Sequence, residues 1–188
     1  MEIERKYLLK EGDEVFSIDF EVSDNPQAIE AKPCSGWLFK ESIEIQQGYL
    51  DCDSAWHFAR YQLGVDVLFP IKEARLRSQK DKITLVFKGA GTLRRHKVEI
   101  PIDRETFDKL WPLTEGQRIH KTRFIYQGWK RYGDDQYRPH EAKINVYHDR
   151  PLIVAEVEFM SIEEAQQMVP IGKDVTEDVK YKNKNLAQ

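Results

Sequence analysis

Runs in which apolar and polar residues alternate one for one recur along most of the chain, and that period is the mark of a half-buried β-strand. They cover residues 2–9, 43–50, 73–77, 83–88, 95–102, 118–126, 142–148 and 152–159. About eight strands is the number that closes into a small barrel with room inside for side chains. Helical signals are fewer. Asp103 is placed to cap a helix over residues 104–111 that Pro112 would stop. Ser161 followed by Glu164 has the spacing of a capping box ahead of residues 165–169, and a further short helix fits residues 181–186. Residues 11–36 and 53–70 are the least regular and read as insertions, the second carrying a short helix with Trp56, Phe58 and Tyr61. The expected fold is therefore α+β but mainly β: an eight-stranded antiparallel closed β-barrel with a few flanking helices, one domain over residues 1–188.

The alternation sorts charge as well as hydrophobicity, because successive strand residues face opposite sides of a sheet. Glu2, Glu4 and Lys6 share one face. Arg75 shares a face with Arg77, opposite Ala74 and Leu76. Arg95, Lys97 and Glu99 fall together, as do Lys121 with Arg123, Lys143 with Asn145, and Glu156 with Glu158. A solvated sheet face explains any one such strand. Like-charged neighbours recur, however, and like charges side by side on an open sheet are mildly destabilising. A ligand of opposite charge relieves that cost. Arginine forks match phosphate oxygens, and carboxylates suit a hard divalent cation that bridges to phosphate.

Composition narrows the alternatives. The chain has 188 residues, of which 40% are hydrophobic and 32% charged, with a formal net charge of −3. That balance gives no general pull toward nucleic acid or an anionic membrane, so a polyanion site must be a local concentration of Lys and Arg. Cys34 and Cys52 have neither metal-ligand nor disulfide-framework spacing, which suits a reduced compartment, and Cys52 has no activating partner in sequence. The first residues are charged, which argues against a secretory signal. No apolar run approaches the ~20 residues of a membrane span. The expectation is a cytoplasmic protein bound to neither nucleic acid nor membrane; a homodimer is compatible with it. Lys88-Gly89-Ala90-Gly91 lacks the remaining residues of a P-loop and reads as a turn. The five histidines lack zinc-binding spacing, and alternation turns His120 away from the face of Lys121 and Arg123.

In this order the charged strings resemble the CYTH superfamily, the triphosphate tunnel metalloenzymes. Glu2-Ile3-Glu4-Arg5-Lys6 matches the N-terminal ExExK signature, and Gln47-Gly48-Tyr49-Leu50 is similar to the RQGYL strand. Glu73-Ala74-Arg75-Leu76-Arg77 resembles the RxR strand, Phe87-Lys88-Gly89 the KG motif, and the segment 95–99 the RxExE strand. Residues 119–123 resemble the EKTR strand, Ala155-Glu156-Val157-Glu158-Phe159 the ExE strand, and residues 172–186 the C-terminal segment. The resemblance spans nearly the whole chain and is nearest to the short bacterial members. It implies a tunnel that hydrolyses inorganic triphosphate or a related triphosphate, with Mg²⁺ or Mn²⁺ as cofactor. Lys6, Arg75, Arg77, Lys88, Arg95, Lys121, Arg123 and Lys180 would hold phosphate oxygens. Glu2, Glu4, Glu99, Glu156 and Glu158 would serve the metal, and Glu156 or Glu158 would act as base, with Lys6 beside the chemistry.

Several acidic positions of the pattern are replaced. Lys97 stands for the first Glu of RxExE, Lys143-Ile144-Asn145 for the acidic strand before the last, and His120 for the Glu ahead of Lys121. The tail reads Lys173-Asp174-Val175-Thr176. One reading has Lys97 and Lys143 supplying part of the counter-charge that a metal would give the triphosphate; another has them reaching solvent at a tunnel mouth. Two further functions follow: a triphosphate or nucleotide sensor that binds without turnover, and an ATP cyclase of the class IV adenylate cyclase type.

Overall fold

The computed structural model describes residues 2–10, 18–19, 30–31, 37–131 and 137–187. The strands are β1 (Glu2–Leu9), β2 (Ile18–Asp19), β3 (Glu30–Ala31), β4 (Trp37–Leu50), β5 (Glu73–Gln79), β6 (Lys82–Lys88), β7 (Arg94–Arg95) and β8 (Lys97–Pro101). They continue with β9 (Arg118–Arg131), β10 (Tyr137–Tyr147), β11 (Ile153–Glu158) and β12 (Lys173–Asp174). The helices are α1 (Cys52–Gln62), α2 (Arg104–Leu110), α3 (Ile162–Gln167) and α4 (Asn183–Leu186). Apart from β2 and β3, which pair with each other, the expected insertion at 11–36 lies outside the described residues, as does Cys34.

The hydrogen-bonded order of the main sheet is β12-β1-β11-β10-β9-β4-β5-β6-β8, and β7 pairs back onto β1 through Glu2–Arg95 and Ile3–Arg94. That is the strand order of a nearly closed antiparallel barrel, mainly β as expected. The strand expected over 95–102 is two pieces separated by His96. β7 reaches β1, while β8 stays on β6. β4 and β9 are longer than the alternation suggests. In β4, Glu41 breaks the apolar face that Trp37 begins and Ile43 resumes, so periodicity alone misses its first half.

The chain packs as two compact units, each built from separate stretches: Met1–Ile3, Ile43–Lys121 and Thr176–Gln188 in the first, Glu4–Ser42 and Thr122–Val175 in the second. Nothing in a one-dimensional pattern signals this division, because β1, β4 and β9 each run from one unit into the other.

In the first unit the outward side chains of β5, β6 and β8 form an apolar core. Leu76, Leu85, Phe87 and Ile100 pack with Ala55 and Ala59 of α1 and with Phe107 of α2. Each large apolar side chain buried this way contributes roughly 1.5–3 kcal/mol. The helices start where side-chain caps satisfy their free amides: Asp51 accepts from the Ser54 amide at α1, and Asp103 from the Thr106 amide at α2. Pro112 does not end the chain's helical course abruptly. It enters a 3₁₀ turn, Trp111–Thr114, whose first positions tolerate proline. α1 is the short helix expected in 53–70.

In the second unit Tyr7, Ala142, Ile144, Ala155 and Val157 are buried on the outward face of β1, β10 and β11. Ser161 caps α3 as expected, accepting from the Glu164 amide. The Glu164 carboxylate reaches past the cap to the Met160 amide, at 2.9 Å. Arg5 ties α3 and β12 to β1: it donates to the carbonyls of Ala165 and Met168 and pairs with Asp174. A cation on the last carbonyls of a helix also meets the negative end of its dipole.

Candidate active site

On the first unit, the face of the sheet opposite the apolar core is basic. Cross-strand register aligns it: Glu73 lies opposite Lys88, and Lys88 opposite Lys97; Arg75 lies opposite Val86, and Val86 opposite Glu99. Arg77 lies opposite Thr84 on one side and Gln47 on the other, and Tyr49 lies opposite Arg75. Arg75, Lys88 and Lys121 are buried. Among the described side chains Glu73 and Glu99 share this face. Glu73 sits 3.4 Å from Arg75 and 3.7 Å from Arg95. Glu99 accepts from Arg77 at 2.9 Å and lies 3.1 Å from Lys97 and 3.4 Å from Lys82. Burial alone would raise the Glu99 carboxyl, but Arg77 and Lys97 outweigh it and hold it down at about 2. Lys121 donates to the side-chain Oδ1 of Asn183, on α4, at 3.3 Å.

The second unit carries a different arrangement, in which acids and bases interleave. Lys6 lies opposite Glu156 and Glu156 opposite Lys143, while Glu4 lies opposite Glu158. The Lys6 ammonium is 2.6 Å from Glu156 and 2.9 Å from Glu4, all three side chains being nearly buried. Burial pulls an ammonium pKa down, yet Glu156 and Glu4 more than reverse the effect and leave Lys6 above the ordinary lysine value. Arg123 donates to the other Glu156 oxygen at 2.7 Å and to Asn145 Oδ1 at 2.9 Å. Lys143 donates to Glu158 at 2.6 Å and sits 3.4 Å from Glu141. Tyr147, on the same face of β10 as Lys143 and Asn145, is buried. That burial, with Glu156 nearby, pushes its phenol well above its ordinary pKa, so it stays protonated at neutral pH.

Each unit thus gathers its share of the residues expected from sequence. Arg75, Arg77, Lys88, Arg95, Glu99 and Lys121 fall on the first unit's basic face, and Glu4, Lys6, Arg123, Glu156 and Glu158 in the second unit's interleaved cluster. Lys180 is the exception. It lies in the 3₁₀ turn Val179–Tyr181, mostly exposed, with its ammonium on Asp178 and over the Tyr181 ring. The backbone of Glu2 pairs with Arg95, and its side chain lies outside what is described. His120 points away from Lys121, as alternation requires, and pairs with Glu44. Lys97 and Lys143 do not simply reach solvent; each is seated on a carboxylate.

Sequence reasoning passed over Glu73, Gln47, Tyr49, Thr84 and Tyr147, which share these faces. The signal was present for most of them: Glu73 alternates in phase with Arg75 and Arg77, and Tyr147 with Lys143 and Asn145. Asn183 gave none, since its partner Lys121 lies 62 residues away.

No three His, Cys, Asp or Glu side chains converge as a ready-made metal cage among the described residues. The donor chemistry is nonetheless that of a hard cation. Glu4 and Glu156 are buried and meet at one positive point, and Glu158 lies opposite Glu4 on the neighbouring strand. Magnesium and manganese are held by one or two carboxylates, with water and substrate phosphate completing the shell. The carboxylates of the second unit fit that requirement.

No family model matches the chain. A relative from Nitrosomonas europaea named inorganic triphosphatase is 43% identical over 118 residues, which make up 61% of this chain and 74% of that protein. The solved structure of the inorganic triphosphatase NE1496 aligns with a TM-score of 0.52 at 30% identity, covering 100% of this chain and 94% of that one. Another structure of NE1496, described as a hypothetical protein, gives a TM-score of 0.52 at 31% identity, with 100% and 97% covered. Identity at that level over most of the relative joins the strand order and the charged strings that run from Glu4 to Glu158, and by all three the chain belongs to the CYTH, or triphosphate tunnel, family.

Proposed function

We propose that this chain is a hydrolase that cleaves inorganic triphosphate, or a related triphosphate such as ATP, with a divalent cation, Mg²⁺ or Mn²⁺. The observation that carries the reading is the first unit's basic face. Arg75, Arg77, Lys88, Arg95 and Lys97 gather on one side of the sheet, with Glu73 and Glu99 among them. Such a face accommodates a chain of phosphates: arginines donate bidentately to non-bridging oxygens, lysines act as point charges, and charge developing on the transferred group is stabilised without reorganisation. Phosphoryl transfer asks little more of a protein than positioning and electrostatics.

In the second unit Glu4, Glu156 and Glu158 would hold the cation. When bound, it supplies neutralisation of phosphoryl charge and a more acidic water. Glu156 and Glu158 are the two acids that would orient the attacking water and take its proton. Lys6 and Arg123 fix Glu156 by its two oxygens, so it cannot swing away from that task. Lys6 stays protonated and offers charge, not a base.

The test is phosphate release from inorganic triphosphate and from ATP, each with Mg²⁺, Mn²⁺ or EDTA. Metal-dependent release from triphosphate is expected. Glu156→Gln should cut the rate at least about a hundredfold, the scale of a lost acid–base or electrostatic group. Triphosphate that raises the melting temperature without any release would instead mean a binding protein.

A further inference from the structure

The Lys143 side chain does not bond the residue directly across from it. Its cross-strand partner is Glu156, but both Glu156 oxygens are already taken, one by Lys6 at 2.6 Å and the other by Arg123 at 2.7 Å. Lys143 therefore turns one rung along the sheet. There Glu158 accepts from it at 2.6 Å, and Glu141 lies 3.4 Å away. Most of the lysine side chain is covered, with 18% of it exposed. Its pKa follows the pairing: burial would lower it, and the hydrogen bond and charge of Glu158, with the charge of Glu141, together raise it.

The neighbouring position on that face offers a cation nothing in exchange. Asn145 is fully buried and neutral, its carbonyl oxygen engaged by Arg123 at 2.9 Å. Its amide nitrogen donates to the backbone oxygens of Lys143 and Val154. Rotating Asn145 toward a metal would break all three bonds. The acidic end of the cluster is left to Glu4, Glu141 and Glu158, and the only described ammonium groups seated on it are those of Lys6 and Lys143.

We infer that the Lys143 ammonium is a built-in counter-cation on Glu158 and Glu141, which a divalent metal must displace before either carboxylate can bind it. The inference rests on the proposed metal-dependent reading only for naming a divalent cation as the competitor. A carboxylate held by an ammonium at hydrogen-bond distance offers a metal less free charge, and affinity for hard cations follows ligand charge. Arginine in place of Lys143 would keep the block. An uncharged side chain of similar length would lift it.

The experiment is Mn²⁺ binding to the full chain in the absence of triphosphate, followed by calorimetry and by loss of the free-ion electron paramagnetic resonance signal. Lys143→Met should tighten Mn²⁺ binding about tenfold or more, as expected for restoring a free ligand charge. Lys143→Arg should bind as weakly as the parent chain. Lys109→Met, which removes an exposed lysine paired with Glu105, controls for bulk charge and should change nothing. Equal or weaker binding by Lys143→Met overturns the inference, and so does equal tightening by Lys109→Met. A second readout needs no folded variant: in the parent chain labelled with ¹⁵N-lysine, Mg²⁺ should shift the Lys143 side-chain resonance and leave that of Lys109 in place. An unmoved Lys143 signal at saturating Mg²⁺ would also overturn it. Neither experiment contains triphosphate, so a failure to hydrolyse would sink the proposed function and leave this inference standing.

Discussion

Among the carboxylates on the charged faces, Glu99 is the one whose titration can be followed most directly. Arg77, Lys97 and Lys82 surround it, and it holds its proton only near a pH of about 2, against an ordinary value of 4.5. Because the folded value is depressed, the ionised form favours folding. Its contribution is complete above the ordinary value and is lost as pH falls from there toward the folded one. Glu99→Gln has no such contribution to lose. The stability gap between the parent chain and Glu99→Gln, measured by urea unfolding, should therefore be widest near neutral pH and close as pH falls through that window. A gap that stays constant across the window would mean that the three cations do not act on Glu99. The same logic separates Glu99 from surface acids such as Glu105, whose pair with Lys109 is largely exposed and screened.

At the scale of elements, what the alternation could reveal depended on how far apart the partners were. Each strand's two faces were legible, because the period of two is local: Arg75 and Arg77 against Ala74 and Leu76 needed no knowledge of the rest of the chain. Register was not legible, and register is what sets Lys143 across from a Glu156 already held by Lys6 and Arg123, one rung from Glu158, and puts Gln47 beside Arg77. The break at His96 was hidden for a similar reason. Its two flanks pair with different strands, and only long-range contacts reveal that. Gly48 is another long-range constraint written as a single letter. A Cβ there would lie 2.3–2.8 Å from the Thr114 side chain, so β4 and the 3₁₀ turn after α2 can approach only because Gly48 has none. Thr114 cannot easily yield, being buried, bonded to the Trp111 carbonyl and accepting from Arg118. Gly48→Ala should destabilise the protein by about 1–3 kcal/mol, the usual cost of overpacking, read as a lower urea midpoint with an unchanged slope. Adding Thr114→Gly, which removes all three atoms that the new Cβ would meet, should recover part of the loss; an unaffected midpoint in Gly48→Ala would mean the turn is not held against β4.

Across the whole molecule charge is divided between the two units, although the net charge is only −3. Arg75, Arg77, Lys88, Arg95 and Lys97 gather on the first unit's face with Glu73 and Glu99, while the second unit pairs Lys6, Arg123 and Lys143 with Glu4, Glu156 and Glu158. A protein with so small a net charge has little long-range attraction for polyanions, so any strong response to triphosphate must come from the local face. Ligand that binds only the folded state stabilises it by mass action, by about 2.7 kcal/mol at a hundred times its dissociation constant. Triphosphate should therefore raise the melting temperature in the absence of added metal. Pyrophosphate, with fewer charges to spread over Arg75, Arg77 and Lys97, should raise it less. The rise should shrink between about 50 mM and about 300 mM sodium chloride, since part of the attraction is exposed to screening. Arg77→Ala should lose most of the effect, because it removes a guanidinium from the face and one of the three cations that offset the charge of Glu99. A thermal shift equal for triphosphate and pyrophosphate, and indifferent to Arg77→Ala, would place the anion elsewhere on the molecule and remove the main support for phosphate-chain recognition by this face.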